Sequence, residues 1–532
     1  MDDKKIFESE ACGIFELVGE EVQAEEILTA GNSFFDKNYF GTRVLVLAPH
    51  SDDEINVAGN MILNLAAAKA EIFVAYSTKS DSAQEAIDAL KILGVPPEKI
   101  IFLNSENLRR DLKNLLLELR ANIIFCVDFD SNADHRTLSI LFEEILGEIL
   151  SERNDYRPEV YKKFAYATAF TAAPDFYATN LRATKKPKLG ETDTYDFDFI
   201  DRANYIWEQR VRFPVAETCR QTLLKDNPIA EAIFAHKSKS NEWTALRILN
   251  SDEIFFERRT DSQTFSAKVT AASGDAHKVK DFKIIDTKNV DVCPAQIQNN
   301  LWQPADNQKK ILFEWIEPVQ VQKIIIYGNP LDDLPQKISL RLELANAQPV
   351  IDKAGIYLDN VKTFNAELPS RGRPLIIDTE KIFVTRADIS AIDAGKSFGL
   401  AEVEFFANAE PIRKIKPFIK LTVKDNFVYD YAVPYEVDKI SVGIYKFHVD
   451  SPVKISATAG DDNILSEILT DGELILNFGK QTEIIVTAEV IGDSSIYDRI
   501  IIRRIGDFAQ IQLKVWQWLD KLRVHKIRKV DR

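Results

Sequence analysis

The chain has 532 residues, of which 45% are hydrophobic and 28% charged, with a formal net charge of −15. That length exceeds one ordinary core and predicts three or four domains. The acidic balance favours solubility and argues against nucleic acid as the main partner, since no domain-wide basic surface is expected.

The opening segment MDDKKIFESEACGIFELVGEE carries acids where a secretory leader needs a basic start and an apolar run. No stretch reaches the roughly 18–20 apolar residues of a membrane-spanning helix. Cys12, Cys126, Cys219 and Cys293 are scattered without a CxxC pair, so neither a disulfide framework nor a cysteine metal cluster is expected. These features together predict a cytoplasmic protein.

From residue 43 the pattern alternates. RVLVLAP reads as a buried strand, EINVAGNMILNLAAAKA as a helix, EIFVAYST as a strand and SAQEAIDALKILGV as a helix. KIIFL, LRRDLKNLLLELRA and NIIFCVDF continue as strand, helix and strand. Apolar strands separated by helices predict an α/β fold for residues 1–261, a Rossmann-like, mostly parallel sheet covered on both faces.

After residue 262 the rhythm shortens. ILFEWIEPVQVQKIIIYGNP, ISLRLELANAQ and LAEVEFFAN predict an all-β sandwich over 262–410. FIKLTVKD, KISVGIYKFHVD, KISATAG, ELILNFG and TEIIVTAEVIG predict a second, immunoglobulin-like sandwich over 411–506, read as a spacer. Residues 507–532 read as a basic amphipathic helix. Ile511, Val515, Trp518, Leu519 and Leu522 fall at helical spacing, among Lys514, Lys521, Arg523, Lys526, Arg528, Lys529 and Arg532. Such a helix suits an anionic membrane surface, or docking on the protein itself or on a partner.

Ligands of open parallel sheets bind outside the carboxyl ends of the strands. His50, Asp52 and Asp53 stand there, directly after the first strand. His50 and Asp53, three residues apart across the turn, can face one ion, and imidazole with carboxylate suits zinc. Asp52 between them stays available to hold a water. A second polar cluster, Asp128, Asp130, Asn132, Asp134 and His135, follows the fourth strand, so His135 can complete a three-ligand site with an open position, the catalytic form of zinc. The other reading makes Asp52 or Asp53 a helix N-cap.

PHSDDE at 49–54 resembles the (A)HPDDE signature of the LmbE-like (PIG-L) zinc-dependent N-deacetylases, and NADHR at 132–136 resembles that family's HPDHR motif. EAIDALKILGV resembles the family helix before the third strand, and IFAHKSKSNEW at 233–243 its closing H-x-S-Q segment. The resemblance covers about residues 40–260. It implies that His50, Asp53 and His135 hold one Zn2+ and that Asp52 is the general base, acting on an N-acetylated sugar or glycan in glycan biosynthesis. Iron, cobalt or manganese would also suit this ligand set.

The sequence departs from the pattern at Ser51, where the family has proline, at Lys239, and at Asn132, where it has a histidine thought to assist the intermediate or the leaving amine. Asparagine can donate a hydrogen bond but cannot deliver a proton. Asp52 would then act as both base and acid, or His236 would approach as the donor; the plainer reading of His236 is packing near the sheet edge. Asn132 also keeps open an alternative, a glycan-binding protein with a silent deacetylase domain. Segment 262–410 resembles a discoidin-like, galactose-binding-like sandwich through NNLWQP, ILFEWIEPVQVQKIIIYG and GLAEVEFFA. That makes Trp302 a candidate for stacking on a sugar, or else a core tryptophan, while His277 and His448 read as structural or exposed.

Overall fold

The computed structural model describes residues 27–29, 38–78, 82–128, 133–153, 155–163, 165, 210–213, 224–237, 245, 248–249, 253–282, 301–305, 309–329, 332, 334–352, 355–370, 374–393, 398–408, 417–423, 432–447, 449–460, 462–470, 472–512 and 514–515. Nothing in the described helices is long and apolar enough to cross a membrane.

The first region is built on one eight-stranded sheet. Its strands are β1 (Ile27–Thr29), β2 (Arg43–Ala48), β3 (Glu71–Tyr76), β4 (Ile100–Phe102), β5 (Ile123–Val127), β6 (Glu159–Lys163), β7 (Arg210–Phe213) and β8 (Glu253–Arg258). They lie in the order β1-β7-β8-β6-β5-β2-β3-β4. The run from β6 to β4 is parallel throughout, while β8 lies antiparallel to both β6 and β7. Residues 44–48 and 123–127 are buried without alternation, as strands covered on both faces require.

The described helices of this region are α1 (Asp53–Ala67), α2 (Ala83–Ile92), α3 (Leu108–Leu119), α4 (Ala133–Glu152) and α5 (Pro228–Ala235). In α3, Leu112 and Leu116 are four apart and buried, while Arg109 and Lys113 on the outer side pair with Glu144 and Glu148 of α4 at 2.8 and 3.1 Å. The helix predicted after the first strand is not continuous. Ala58 has φ −150° and ψ 26°, so the first turn of α1 is offset from the rest.

The first β region comprises β9 (Lys268–Ala271), β10 (Lys310–Gly328), β11 (Gln336–Asp352), β12 (Gly355–Leu368), β13 (Pro374–Asp393) and β14 (Leu400–Phe406). It is a sandwich made from one sheet. The pairing of β10 with β13 breaks between Glu314 and Val319; β9 pairs with the first half of β10 and β14 with the second. Phe313 in the first half meets Phe405 of β14 at 5.4 Å between ring centroids, so the two halves close on a shared core.

The second β region does have two sheets. One contains β15 (Phe418–Val423), β17 (Lys439–Phe447) and β20 (Glu473–Asn477). The other orders β16 (Ala432–Pro434), β22 (Asp493–Ile505), β21 (Glu483–Val490), β18 (Val453–Ala459) and β19 (Asp462–Leu469). A helix begins at Asp507. Phe508, Ile511 and Val515 lie exposed on it, and residues 516–532 are outside those described.

Candidate metal centre

After β2 the chain moves outward through β3 and β4, then returns to place β5 on the other side of β2. Such a reversal opens a crevice at the carboxyl ends of the two central strands. The pairing of Leu47 with Cys126 brings the segments that follow β2 and β5 side by side.

The first segment turns sharply into α1. The backbone N–H groups of Asp52 and Asp53 donate to the carbonyl of His50 at 3.0 and 3.2 Å, and the His50 N–H donates to Asp53 Oδ2 at 3.1 Å. Asp52 occupies the N-cap position, yet its side chain makes no capping hydrogen bond. Asp53 Oδ2 lies 2.8 Å from His50 Nδ1 and 3.1 Å from His135 Nε2. His135, in the first turn of α4, is buried. Among the described residues these three side chains converge, their ligand atoms all within 4.8 Å of one another. Two imidazole nitrogens and one carboxylate oxygen make a donor set that fits a catalytic zinc ion.

Asp134 supplies what the sequence reading left without a role. Its Oδ2 lies 3.0 Å from His50 Nε2 and so fixes the ring with Nδ1 toward Asp53. A carboxylate on the second nitrogen of a metal-binding imidazole is a recurrent device, and that chemistry was the signal available for finding it. The Asp53 hydrogen bond raises the His50 pKa, against burial, with Asp134 adding to the rise. Burial pushes the Asp53 carboxyl up, but hydrogen bonds from His135 and His50 outweigh it and hold it well below its usual range.

Asp128 belongs elsewhere. It is wholly buried in a charge cluster that anchors α4, with Lys162 Nζ 3.2 Å from its Oδ1 and Arg258 Nη2 3.4 Å from Oδ2. Lys162 also donates to Ser139 Oγ and Glu143 Oε1, each at 2.7 Å. Ser139 and Glu143 follow His135 at helical spacings of four and eight, so the face of α4 that carries the ligand is pinned to β6. Two cations here balance two carboxylates, and removing one partner from such a buried set is costly.

Two expected site residues are engaged in other contacts. His236, the expected alternative proton donor, is the C-cap residue of α5 and wholly buried; its Nε2 lies 2.7 Å from Glu54 Oε1. Burial lowers its pKa, but the hydrogen bond and charge of Glu54 outweigh that and the net shift is upward. Trp302, expected at a sugar face, is instead a core residue of the first sandwich. It is 0% exposed, its indole N–H donates to the Ser273 carbonyl at 2.9 Å, and no ring face is left for a ligand. Asp130, Asn132, Lys239 and His448 lie outside the described residues.

A Rossmann-like sheet with a His-Asp-His trio at its central crevice defines the class of this region. Residues 45–146 match the family model PIG-L: GlcNAc-PI de-N-acetylase, and this segment is a PIG-L, LmbE-like domain. No curated protein sequence matches the chain. Among solved structures it is similar to N,N'-diacetylchitobiose deacetylase from Pyrococcus horikoshii, with 22% identity, 24% of this chain and 54% of that one covered, and a TM-score of 0.18. It is also similar to the 4-carboxy-2-hydroxymuconate hydratase GalB from Pseudomonas putida, with 20% identity over 23% of this chain and 65% of that one and a TM-score of 0.19. A third similarity is to CpGH89CBM32-6 produced by Clostridium perfringens, with 12% identity over 27% of this chain and 94% of that one and a TM-score of 0.17. The chain spans about half the length of the first of these structures.

Proposed function

We propose that the chain is a metal-dependent hydrolase that removes the acetyl group from an N-acetylated sugar or glycan, with zinc as the metal. One observation carries this reading: His50 Nδ1, Asp53 Oδ2 and His135 Nε2 converge within a segment that matches a de-N-acetylase family model.

His50, Asp53 and His135 would hold the ion. When bound, it supplies Lewis-acid polarisation of the amide carbonyl and lowers the pKa of water toward about 7. Asp52, whose carboxylate is not spent on capping the helix, takes the proton of the attacking water. Asp134 keeps the His50 ring in register through Nε2. The departing nitrogen needs a proton; His236 Nε2 is hydrogen-bonded to Glu54, and Asp52 returns the proton it took. Water and the N-acetyl group thus give acetic acid and the free amine, which exchange one proton to leave acetate and the ammonium, so atoms and charge balance.

Acetate release from N-acetylated hexosamines, free, nucleotide-linked and lipid-linked, tests this. The purified protein is expected to carry about one zinc per chain, and Asp52→Ala to lower the rate at least about 100-fold, the usual lower bound for a general base. Chelation should abolish release and zinc should restore it. Absence of stoichiometric metal would refute the reading. Tight zinc without acetate release would favour the glycan-binding alternative left open by Asn132.

A further inference from the structure

Resting on that reading, we propose that His236 is a positioning residue: through Glu54 it holds the turn of α1 that carries Asp52 and Asp53, and α5 acts as a clamp on the metal centre. The need for a clamp comes from the backbone. The non-helical Ala58 separates residues 53–57 from the rest of α1, so that turn is not aligned by an unbroken hydrogen-bond ladder. Its position therefore depends on what its side chains grip.

Glu54, next to the ligand Asp53, is 0% exposed and points into the protein, where its Oε1 lies 2.7 Å from His236 Nε2. Among the described residues neither Glu54 Oε2 nor His236 Nδ1 has a hydrogen-bond partner, so the contact between the two residues rests on that one short bond. Burial raises the pKa of the neighbouring Tyr76 hydroxyl, and the Glu54 carboxylate raises it further. A buried carboxylate loses heavily when a strong donor is removed.

The rest of α5 is built around the break. A Cβ on Gly59 would stand 2.8 Å from Ile55 Cγ2 and 3.7 Å from Ile229 Cδ1, so α5 crosses α1 closely beside Ala58. Asn227 caps α5 at its start, accepting from the Ile229 N–H at 3.1 Å, and His236 ends it. The helix thus meets α1 at both of its own ends, through Ile229 at Gly59 just past the break and through His236 at Glu54 in the offset turn.

The test compares His236→Ala, His236→Gln, Glu54→Gln and the double variant Glu54→Gln/His236→Ala in the full chain. Zinc affinity is measured by chelator competition, and the geometry of the ligand set by the visible spectrum of the cobalt(II) form. His236→Ala should weaken zinc about tenfold, the lower end for residues that orient metal ligands, and shift the cobalt spectrum. His236→Gln, which keeps a donor near Nε2, should recover most of the affinity, and the double variant should be no weaker than His236→Ala. Glu54→Gln preserves side-chain shape and should show the same losses in smaller measure, which gives the answer even if His236→Ala fails to fold. Wild-type zinc affinity and spectrum in His236→Ala or Glu54→Gln would overturn the proposal, as would a loss of turnover alone, which would make His236 a proton donor. Zinc affinity and spectrum are read without turnover, so a wild-type protein that releases no acetate would refute the deacetylase reading and leave the clamp decided on its own terms.

Discussion

Trp302 is the largest wholly buried side chain among the described residues. The chain closes tightly around it: a Cβ on Gly274, whose φ is +75°, would sit 3.1 Å from Trp302 Cδ1 and 2.5 Å from the Gln303 carbonyl, and one on Gly399 would sit 3.0 Å from the Trp302 carbonyl. Trp302→Ala is therefore expected to destabilise the first sandwich by about 3–5 kcal/mol, read by denaturant unfolding, while wild type and variant show the same response to added sugars. A variant of unchanged stability would mean that the ring does not hold the core. The aromatic residue type alone could not separate these roles, because a tryptophan in a core and one on a sugar face look alike in sequence. The metal trio was legible for the opposite reason. His50 and Asp53 are three apart, His135 follows a neighbouring strand, and the topology of a parallel sheet does the rest. The bond between Glu54 and His236 spans 182 positions and leaves no local trace.

Strand β14 carries the sequence LAEVEFF, in which acids alternate with apolar residues, yet every residue in it is buried. Leu400, Val403 and Phe405 enter the sandwich core, while the acids meet Arg259 of the segment that joins the two regions and Asp281 beyond β9. The Asp281 N–H donates to Glu402 Oε2 at 3.3 Å, and the Arg259 guanidinium stacks over Phe406 at 4.5 Å. Local alternation records what a strand offers, not what another part of the chain lays over it. The cost falls on Glu404: burial, only partly offset by Arg259, pushes its pKa from 4.5 up to about 7. A carboxyl group whose folded pKa exceeds its unfolded value leaves stability intact below about pH 4.5 and erodes it as pH rises toward 7. The full loss is about 3 kcal/mol above pH 7. Glu404→Gln should therefore match the wild type in denaturant unfolding near pH 4 and exceed it at pH 8. Equal stability at pH 8 would show that the carboxyl group ionises freely in the folded protein.

Across the whole molecule, the second sandwich does more than the spacer expected from its sequence, since its residues join the core of the eight-stranded sheet. Ile500 and Ile502 of β22 face their own sandwich, while Ile501 between them belongs with the core of the first region; Ile484 and Val486 of β21 alternate with Ile485 in the same way. Successive side chains of a strand point to opposite faces, so such a run is buried on both only if something covers each. The sequence carried this signal in RIIIRRI and EIIVTAEV, where apolar residues run together instead of alternating. Polar contacts cross the same boundary: the Leu224 N–H donates to Glu483 Oε1 at 3.0 Å, and Arg499 Nη2 donates to the Leu249 carbonyl at 3.2 Å. Leu224 lies just before α5, so the helix that grips Glu54 is itself braced by the second sandwich. Ile501→Ala should cost about 2–5 kcal/mol, as for other large-to-small changes in a core. Hydrogen exchange is expected to rise together in residues 224–237 and 499–505, and zinc should dissociate faster in the variant. Faster exchange confined to 499–505 would show that the two regions unfold independently and that the brace does not exist.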